Sequence, residues 1–150
     1  MKKIIIGSDH GGFELKKHLI AFIRGLGYEV EDYGCYTSDA VDYPDIAVSV
    51  AQDIAVSLES KGIIIDGTGV ASAIVANKIK NIRATPCTDE FTAHSAREHN
   101  DSNILTLGAR VIDAETAQKI VKMWLKTPFG GGRHERRVNK IRELEKKKLL

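Results

Sequence analysis

The residues with the clearest chemical potential are Asp66, Gly67, Thr68 and Gly69, which close the apolar run Gly62-Ile63-Ile64-Ile65. A β-branched run that ends in a Gly-Thr-Gly turn and opens into a helix leaves backbone N–H groups free and pointing one way. Such a cup holds an oxyanion or a phosphate. A carboxylate sits on its lip and the Thr68 hydroxyl lies beside it. Together these groups suit acid–base chemistry on an anionic substrate. Val70 and Ala71 begin the helix that follows.

Other segments carry weaker signals. Asp9 and His10 directly follow an apolar run, and Gly11-Gly12 lets the chain pass close to a ligand. The plainer alternatives are Asp9 as the N-cap of the first helix and His10 as a solvated loop residue. Arg133 and Arg137 stand four apart on one helical face, after Gly130-Gly131-Gly132. Two guanidinium groups that close favour a phosphate or carboxylate. The alternative is a solvated basic face paired with Glu135 or Glu143. His99-Asn100 ends a helix, where a histidine is either a dipole-stabilised cation or a proton donor. His18 and His94, within helices, read as surface residues.

Alternating signals along the chain define the elements that must hold these groups. Ile4 to Ile6 reads as a buried strand, and Leu15, Leu19, Phe22, Ile23 and Leu26 as a helix stopped by Gly25 and Gly27. Tyr28 to Tyr33 alternates like a half-exposed strand near a sheet edge. Pro44 opens a second helix whose inner face holds Ala47, Val50, Ala51, Ile54 and Leu58. Gly62 to Ile65 is a third strand, followed by a helix from about Val70 to Lys78. Ile82 to Thr85 is a fourth strand. Thr88 caps a helix that runs to about Glu98. Ile104 to Leu107 is a fifth strand, and helices follow over 114–126 and 133–147. The last has a narrow apolar stripe, Val138, Ile141 and Leu144, that fits either a helix of a second subunit or an ordinary docked surface helix.

Five strand–helix repeats imply one parallel sheet with helices on both faces. Ligands of such sheets bind beyond the carboxyl ends of the strands. Asp9-His10, Asp66 to Gly69 and Arg110 should therefore meet on one rim. At 150 residues, 43% hydrophobic and 28% charged, the chain reads as a single domain over 1–150. A net charge of +2 argues for neither nucleic acid nor membrane. No apolar stretch is long enough to span a bilayer. Cys35 and Cys87 form neither a metal pattern nor a disulfide framework, so a reduced cytoplasmic setting is the expectation.

The ordered set Gly7-Ser8-Asp9-His10-Gly11-Gly12, Asp42-Tyr43-Pro44, Gly67-Thr68-Gly69, Ala76-Asn77-Lys78, Arg97-Glu98-His99-Asn100-Asp101 and Gly131-Gly132-Arg133-His134-x-x-Arg137 resembles the type B ribose-5-phosphate isomerase family. That family includes the galactose-6-phosphate isomerase subunits. The resemblance runs from about residue 2 to residue 146. It implies a Rossmann-like α/β/α sandwich that dimerises through its C-terminal helix and often pairs into tetramers. It also implies an active site between two subunits, and aldose–ketose isomerisation of a sugar phosphate with no metal or other cofactor. Carried over, Asp9 and His10 bind the sugar and its phosphate end, with Tyr43 close by. Gly67, Thr68 and Gly69 stabilise the enediolate, with Val70 and Ala71 adjoining. His99 is the acid for ring opening, with Asn100 beside it, both from the neighbouring subunit. Arg110, Arg133 and Arg137 hold the substrate.

The sequence departs from that pattern at the base. Most type B members resemble one another in carrying cysteine at position 66, and another branch uses a glutamate six residues on. Here the two places hold Asp66 and Ser72. Asp66 is thus the candidate base. Amides at a helix start would weaken a carboxylate base, whereas burial against Ile65 and Val70 would act the other way. Ala71 stands where the family usually has glycine. The stretch from Ser72 to Lys80 is similar to one galactose-6-phosphate isomerase subunit, which works with a second, paralogous chain. Ribose 5-phosphate and ribulose 5-phosphate are the leading substrates. A hexose or other pentose phosphate, or a non-catalytic sugar-phosphate binding role, are the alternatives.

Overall fold

The computed structural model describes residues 2–147. Strands β1 (Lys3–Ser8), β2 (Glu29–Asp32), β3 (Lys61–Asp66), β4 (Ala84–Pro86) and β5 (Ile104–Gly108) form a parallel sheet in the order β2-β1-β3-β5-β4. Helices α1 (Phe13–Gly25), α2 (Tyr43–Ala55), α3 (Val70–Ala76), α4 (Glu90–Asn100) and α5 (Ala114–Lys126) connect or follow the strands, and α6 (Arg133–Lys146) closes the chain. The five-stranded α/β/α sandwich is as expected.

Alternation along the strands explains the three layers. Successive side chains of a strand point to opposite faces. Ile4, Ile6, Ile63, Ile65, Leu105 and Leu107 enter one core with Leu19, Ile23, Ile120 and Trp124 from α1 and α5. Ile5, Ile64 and Ile104 enter the other with Val50, Ala51, Ile54, Ala73 and Ala76 from α2 and α3. Each large apolar side chain so buried contributes about 1.5–3 kcal/mol. Both faces of β1, β3 and β5 are covered, so these strands read as continuous isoleucine and leucine runs.

Register places the site. Ser8 pairs with Ile65, and Asp66 pairs with Gly108. The carboxyl ends of β1, β3 and β5 therefore finish level with one another, and the loops that leave them share one rim.

Several boundaries differ from expectation, each for a local reason. Helix α2 ends at Ala55 and Leu58 is fully exposed, because the chain must turn there to enter β3. Asp89, not Thr88, caps α4, accepting from the Thr92 amide at 2.7 Å within a reciprocal capping box. That helix runs on to Asn100 and stops at Asp101, which adopts a left-handed conformation. Helix α3 ends at Ala76 rather than Lys78, and β4 begins at Ala84 rather than Ile82. Of the stripe on α6, Val138 is buried, while Ile141 and Leu144 are 40% and 52% exposed. Two thirds of that stripe is thus unpacked within one chain.

One buried side chain was not anticipated. Lys16, on the inner face of α1, is wholly inaccessible. Its ammonium donates to Asp32 Oδ1 at 2.6 Å and to the Cys35 carbonyl. The Asp32 carboxylate also accepts from the Gly34 amide at 2.8 Å. A buried ammonium is tolerated only with such partners. Here they fix the start of the loop that leads to Tyr43.

Candidate active site

The rim forms where the β1 and β3 loops touch. The Asp9 amide donates to the Ile65 carbonyl at 3.1 Å. The Asp9 carboxylate accepts from the Gly12 amide at 3.1 Å, capping the short 3-10 turn over His10–Gly12 rather than α1 itself. Nδ1 of the exposed His10 lies 3.3 Å from both the amide nitrogen and the carbonyl oxygen of Val41. This contact brings the loop ahead of α2, and so Tyr43, to the rim. The Arg110 amide donates to the Gly67 carbonyl at 3.0 Å, and the Arg110 side chain passes beside Gly67. Asp9, His10, Gly67 and Arg110 are therefore gathered as the sequence suggested.

The cup itself is not open. Asp66 is 4% exposed and its carboxylate turns into the hollow that its own loop creates. Oδ1 accepts from the amides of Thr68, at 3.1 Å, and Gly69. Oδ2 accepts from the Ser72 amide at 2.9 Å and the Ser72 hydroxyl at 2.6 Å. A carboxylate has about four lone-pair sites, and all four are engaged. The expectation of free amides with a carboxylate on their lip is thus corrected. Two of the amides assigned to a ligand are spent on Asp66, because a carboxylate two to six residues away is always at hand to satisfy the orphan donors of a helix start. Val70, expected to bury Asp66, is itself 54% exposed. Outward-facing polar groups remain: the Thr68 hydroxyl oxygen accepts only from the Val70 amide, at 3.3 Å, which leaves its O–H to donate.

The turn has no freedom behind it. Gly69 has φ +80°, and its carbonyl accepts from the buried Thr106 hydroxyl at 2.5 Å. A β-carbon on Gly108 would lie 2.6 Å from the Thr68 backbone. Strand β5 thus presses directly on the Gly-Thr-Gly turn, which only glycine at 108 permits.

A second cluster sits at the carboxyl end of α4. His99 and Asn100 are exposed. The Gly130 amide donates to the Glu98 carbonyl at 2.9 Å, which ties the triple-glycine turn to this corner. Helix α6 then stacks His134 on His99, ring centroids 4.3 Å apart and planes 13° from parallel. Nδ1 of His99 lies 3.2 Å from the Ser95 hydroxyl. Glu98 Oε2 lies 2.8 Å from His94 Nε2 and 3.5 Å from His99 Nε2. Burial, then the neighbouring His99, Arg133 and Arg137, hold the His134 imidazole below its ordinary value of 6.5. Arg133 and Arg137 are exposed and form no ion pair among the described residues. Glu143 pairs instead with Lys146 at 3.2 Å, so the two arginines form a solvated basic face without the carboxylate pairing. No hydrogen bond or ion pair links this corner to the rim among the described residues. One chain therefore presents two separate clusters of polar groups. Among the same residues, no three His, Cys, Asp or Glu side chains converge as metal ligands.

Known proteins share this arrangement of elements. A family model described as Ribose/Galactose Isomerase matches residues 4–141. The chain belongs to that family. It is similar to ribose-5-phosphate isomerase B of Escherichia coli (strain K12), with 43% identity over 99% of both chains. It is also similar to the structure of Clostridium thermocellum ribose-5-phosphate isomerase B, with 49% identity, a TM-score of 0.93, and coverage of 96% of this chain and 97% of that one. The ribose-5-phosphate isomerase B of Mycoplasma genitalium with bound ribulose-5-phosphate is 40% identical, with a TM-score of 0.94 and 97% of each chain covered. On the resemblance drawn from the sequence, a base is expected at position 66 or 72. In this member the two positions are joined by the Ser72–Asp66 hydrogen bonds into one unit. Sequence reasoning treated them separately, and it missed Lys16, Glu98 and His134 as supports. The spacing His94-x-x-x-Glu98, one helical turn, was the available signal for Glu98.

Proposed function

We propose that this chain interconverts ribose 5-phosphate and ribulose 5-phosphate. The observation that carries this reading is the convergence of Asp9-His10, Gly67 to Gly69 and Arg110 at the level ends of β1, β3 and β5, in a chain similar over almost its whole length to a protein holding ribulose-5-phosphate. Aldose–ketose isomerisation moves a proton between C2 and C1. A base takes the C2 proton of the open-chain aldose, the electron pair forms the C1–C2 double bond of a cis-enediolate, and the proton returns to C1. The O2 hydroxyl proton passes to O1.

Asp66 is the base in this reading. To act, it must exchange one of its four hydrogen bonds for the substrate. The Ser72 hydroxyl can yield by rotating about a single bond, whereas the three amides are fixed by the backbone. The Thr68 hydroxyl and Arg110 face the developing oxyanion. His99 protonates the ring oxygen during opening, oriented by Ser95 and Glu98. Arg133 and Arg137 grip the phosphate, which sets the reacting carbons against the base. The His99–Arg137 corner serves the rim of a second copy, so a homodimer, or a tetramer of paired dimers, completes each site. The exposed Ile141 and Leu144 favour such pairing.

A second reading is a galactose-6-phosphate isomerase subunit or another hexose or pentose phosphate isomerase. It is favoured by the Asp66–Ser72 pair, since both residues follow the pattern of one such subunit. Incubation with ribose 5-phosphate in deuterated water tests the main reading. Deuterium should appear at C1 of ribulose 5-phosphate and C2 of ribose 5-phosphate. Saturable binding without label overturns catalysis and leaves a binding protein. Faster exchange with galactose 6-phosphate or allose 6-phosphate in a parallel assay favours the second reading.

A further inference from the structure

The amino-terminal edge of the sheet, at the other end of the strands from Asp66, contains a cleft of about 640 Å3. Lys2, Lys61, Arg83, Arg97 and Arg142 line it, against two carboxylates, Glu59 and Asp101. Five cations less two anions leave a formal charge of +3 around one hollow. Asp101 is already shared by three guanidinium groups: Arg97 at 3.0 Å, Arg83 at 3.4 Å and Arg142 at 3.8 Å. Neither Lys2 nor Lys61 has a carboxylate partner among the described residues. The isomerase reading uses none of these side chains.

Lys61 shows the strain of this arrangement. Burial first, then the charges of Arg97 and Lys2, push its ammonium down to about 8. Its Nζ and the Arg97 guanidinium each lie 5.9 Å from the centroid of the fully buried Trp124 ring. The indole face attracts both cations but supplies no counter-charge. An anion in the cleft would supply it.

We propose that the cleft is a second binding site, for a compact organic phosphate with two phosphoryl groups, such as a sugar bisphosphate or a diphosphate ester. Backbone carbonyls and Asn139 take some of the N–H donors of the three arginine forks, but Nη1 of Arg83, Nη2 of Arg97 and Nε of Arg142 have no hydrogen-bond partner among the described residues, and phosphoryl oxygens match that geometry. Two phosphoryl groups neutralise the excess charge where one carboxylate cannot. The volume suits a small organic ligand and exceeds what a single ion fills. Arg83 also ties the cleft to the end of α4, since its Nε donates to the carbonyls of Asn100 at 2.9 Å and Asp101 at 3.2 Å.

The chain has one tryptophan, and it lies beneath this cleft. Emission of Trp124 should therefore change saturably when the whole protein is titrated with inorganic pyrophosphate at about 150 mM salt, where surface charge is screened. Lys61→Gln should weaken that binding by about tenfold, and Arg142→Gln by a smaller factor, because each removes a charge-assisted contact. Arg137→Ala, which does not line the cleft, should leave it unchanged. No saturable change overturns the proposal, as does equal affinity in both Lys61→Gln and Arg142→Gln. A signal lost in Arg137→Ala assigns the binding to the substrate corner and also overturns it. The readout is binding alone, so the outcome is independent of whether the chain isomerises ribose 5-phosphate.

Discussion

The Asp66–Ser72 turn and the His99–Arg137 corner satisfy their polar groups in opposite ways. In the turn, every lone pair of a buried carboxylate meets a donor from the next six residues. At the corner, two guanidinium groups and an asparagine stand exposed with no ion pair among the described residues. The first region is complete within one chain and is rigid for that reason. The second is left with unmatched positive charge, which the proposed function assigns to the substrate phosphate. Damage to the turn should therefore cost both stability and turnover, and loss of the corner's two arginines should cost substrate binding alone.

Asp66→Asn tests this most strongly. An amide keeps one acceptor oxygen but turns its NH2 toward donors on the other side. Turnover should fall by at least about 100-fold with loss of the base, and unfolding stability by about 2–4 kcal/mol with loss of charge-assisted bonds. Phosphate binding should stay nearly intact. Steady-state kinetics and denaturant unfolding read both effects. Normal turnover removes Asp66 from the base role, and normal stability breaks the contrast between the two regions.

Gly108→Ala leaves all proposed chemical groups in place and attacks only the support. Its β-carbon would meet the Thr68 backbone at 2.6 Å, so the turn must shift. Overpacking of this kind costs about 1–3 kcal/mol. Turnover should drop with it, while KM for the sugar phosphate changes little. A fully active, fully stable variant would show that the turn tolerates displacement.

Arg133→Ala and Arg137→Ala should do the reverse. KM should rise by about tenfold or more through loss of a charge-assisted contact, with the melting temperature hardly moved, because neither side chain is packed. An unchanged KM removes the clamp assignment.

The smallest effect is on the pH response of the corner. His134 should titrate below 6.5 in the free protein, and Arg137→Ala should raise its midpoint, since Arg137 is one of the charges holding it down. The sign for stability follows: as pH falls through 6.5 the unfolded chain takes up this proton before the folded chain does, so stability declines toward the lower folded value. NMR titration of the imidazole resonances measures the shift. A midpoint at or above 6.5 in the native protein contradicts the crowding of positive charge seen there.

Much of this contrast was legible in advance. Isoleucine runs of three residues, separated by helical spacing and glycine, identify a parallel sheet because both faces of its central strands must be apolar. Boundaries were less legible. Leu58 fits the inward face of α2 by spacing, yet it falls beyond the turn that delivers Lys61 to β3. Thr88 is a good cap in isolation, but Asp89 with Thr92 satisfies two donors at once. In both cases a competing local bond or a required change of direction overrode a sound local preference.

By composition and spacing, the chain determined its layers, its rim and the identity of the groups placed there, because apolar periodicity and turn chemistry act over a few residues. Only the tertiary structure decided where the Asp66 carboxylate points, that β5 presses on the Gly-Thr-Gly turn, and that five cations from separate segments meet at the amino-terminal edge of the sheet. Those outcomes depend on distances between segments far apart in sequence, and no local pattern encodes which of several nearby donors a buried charge will find.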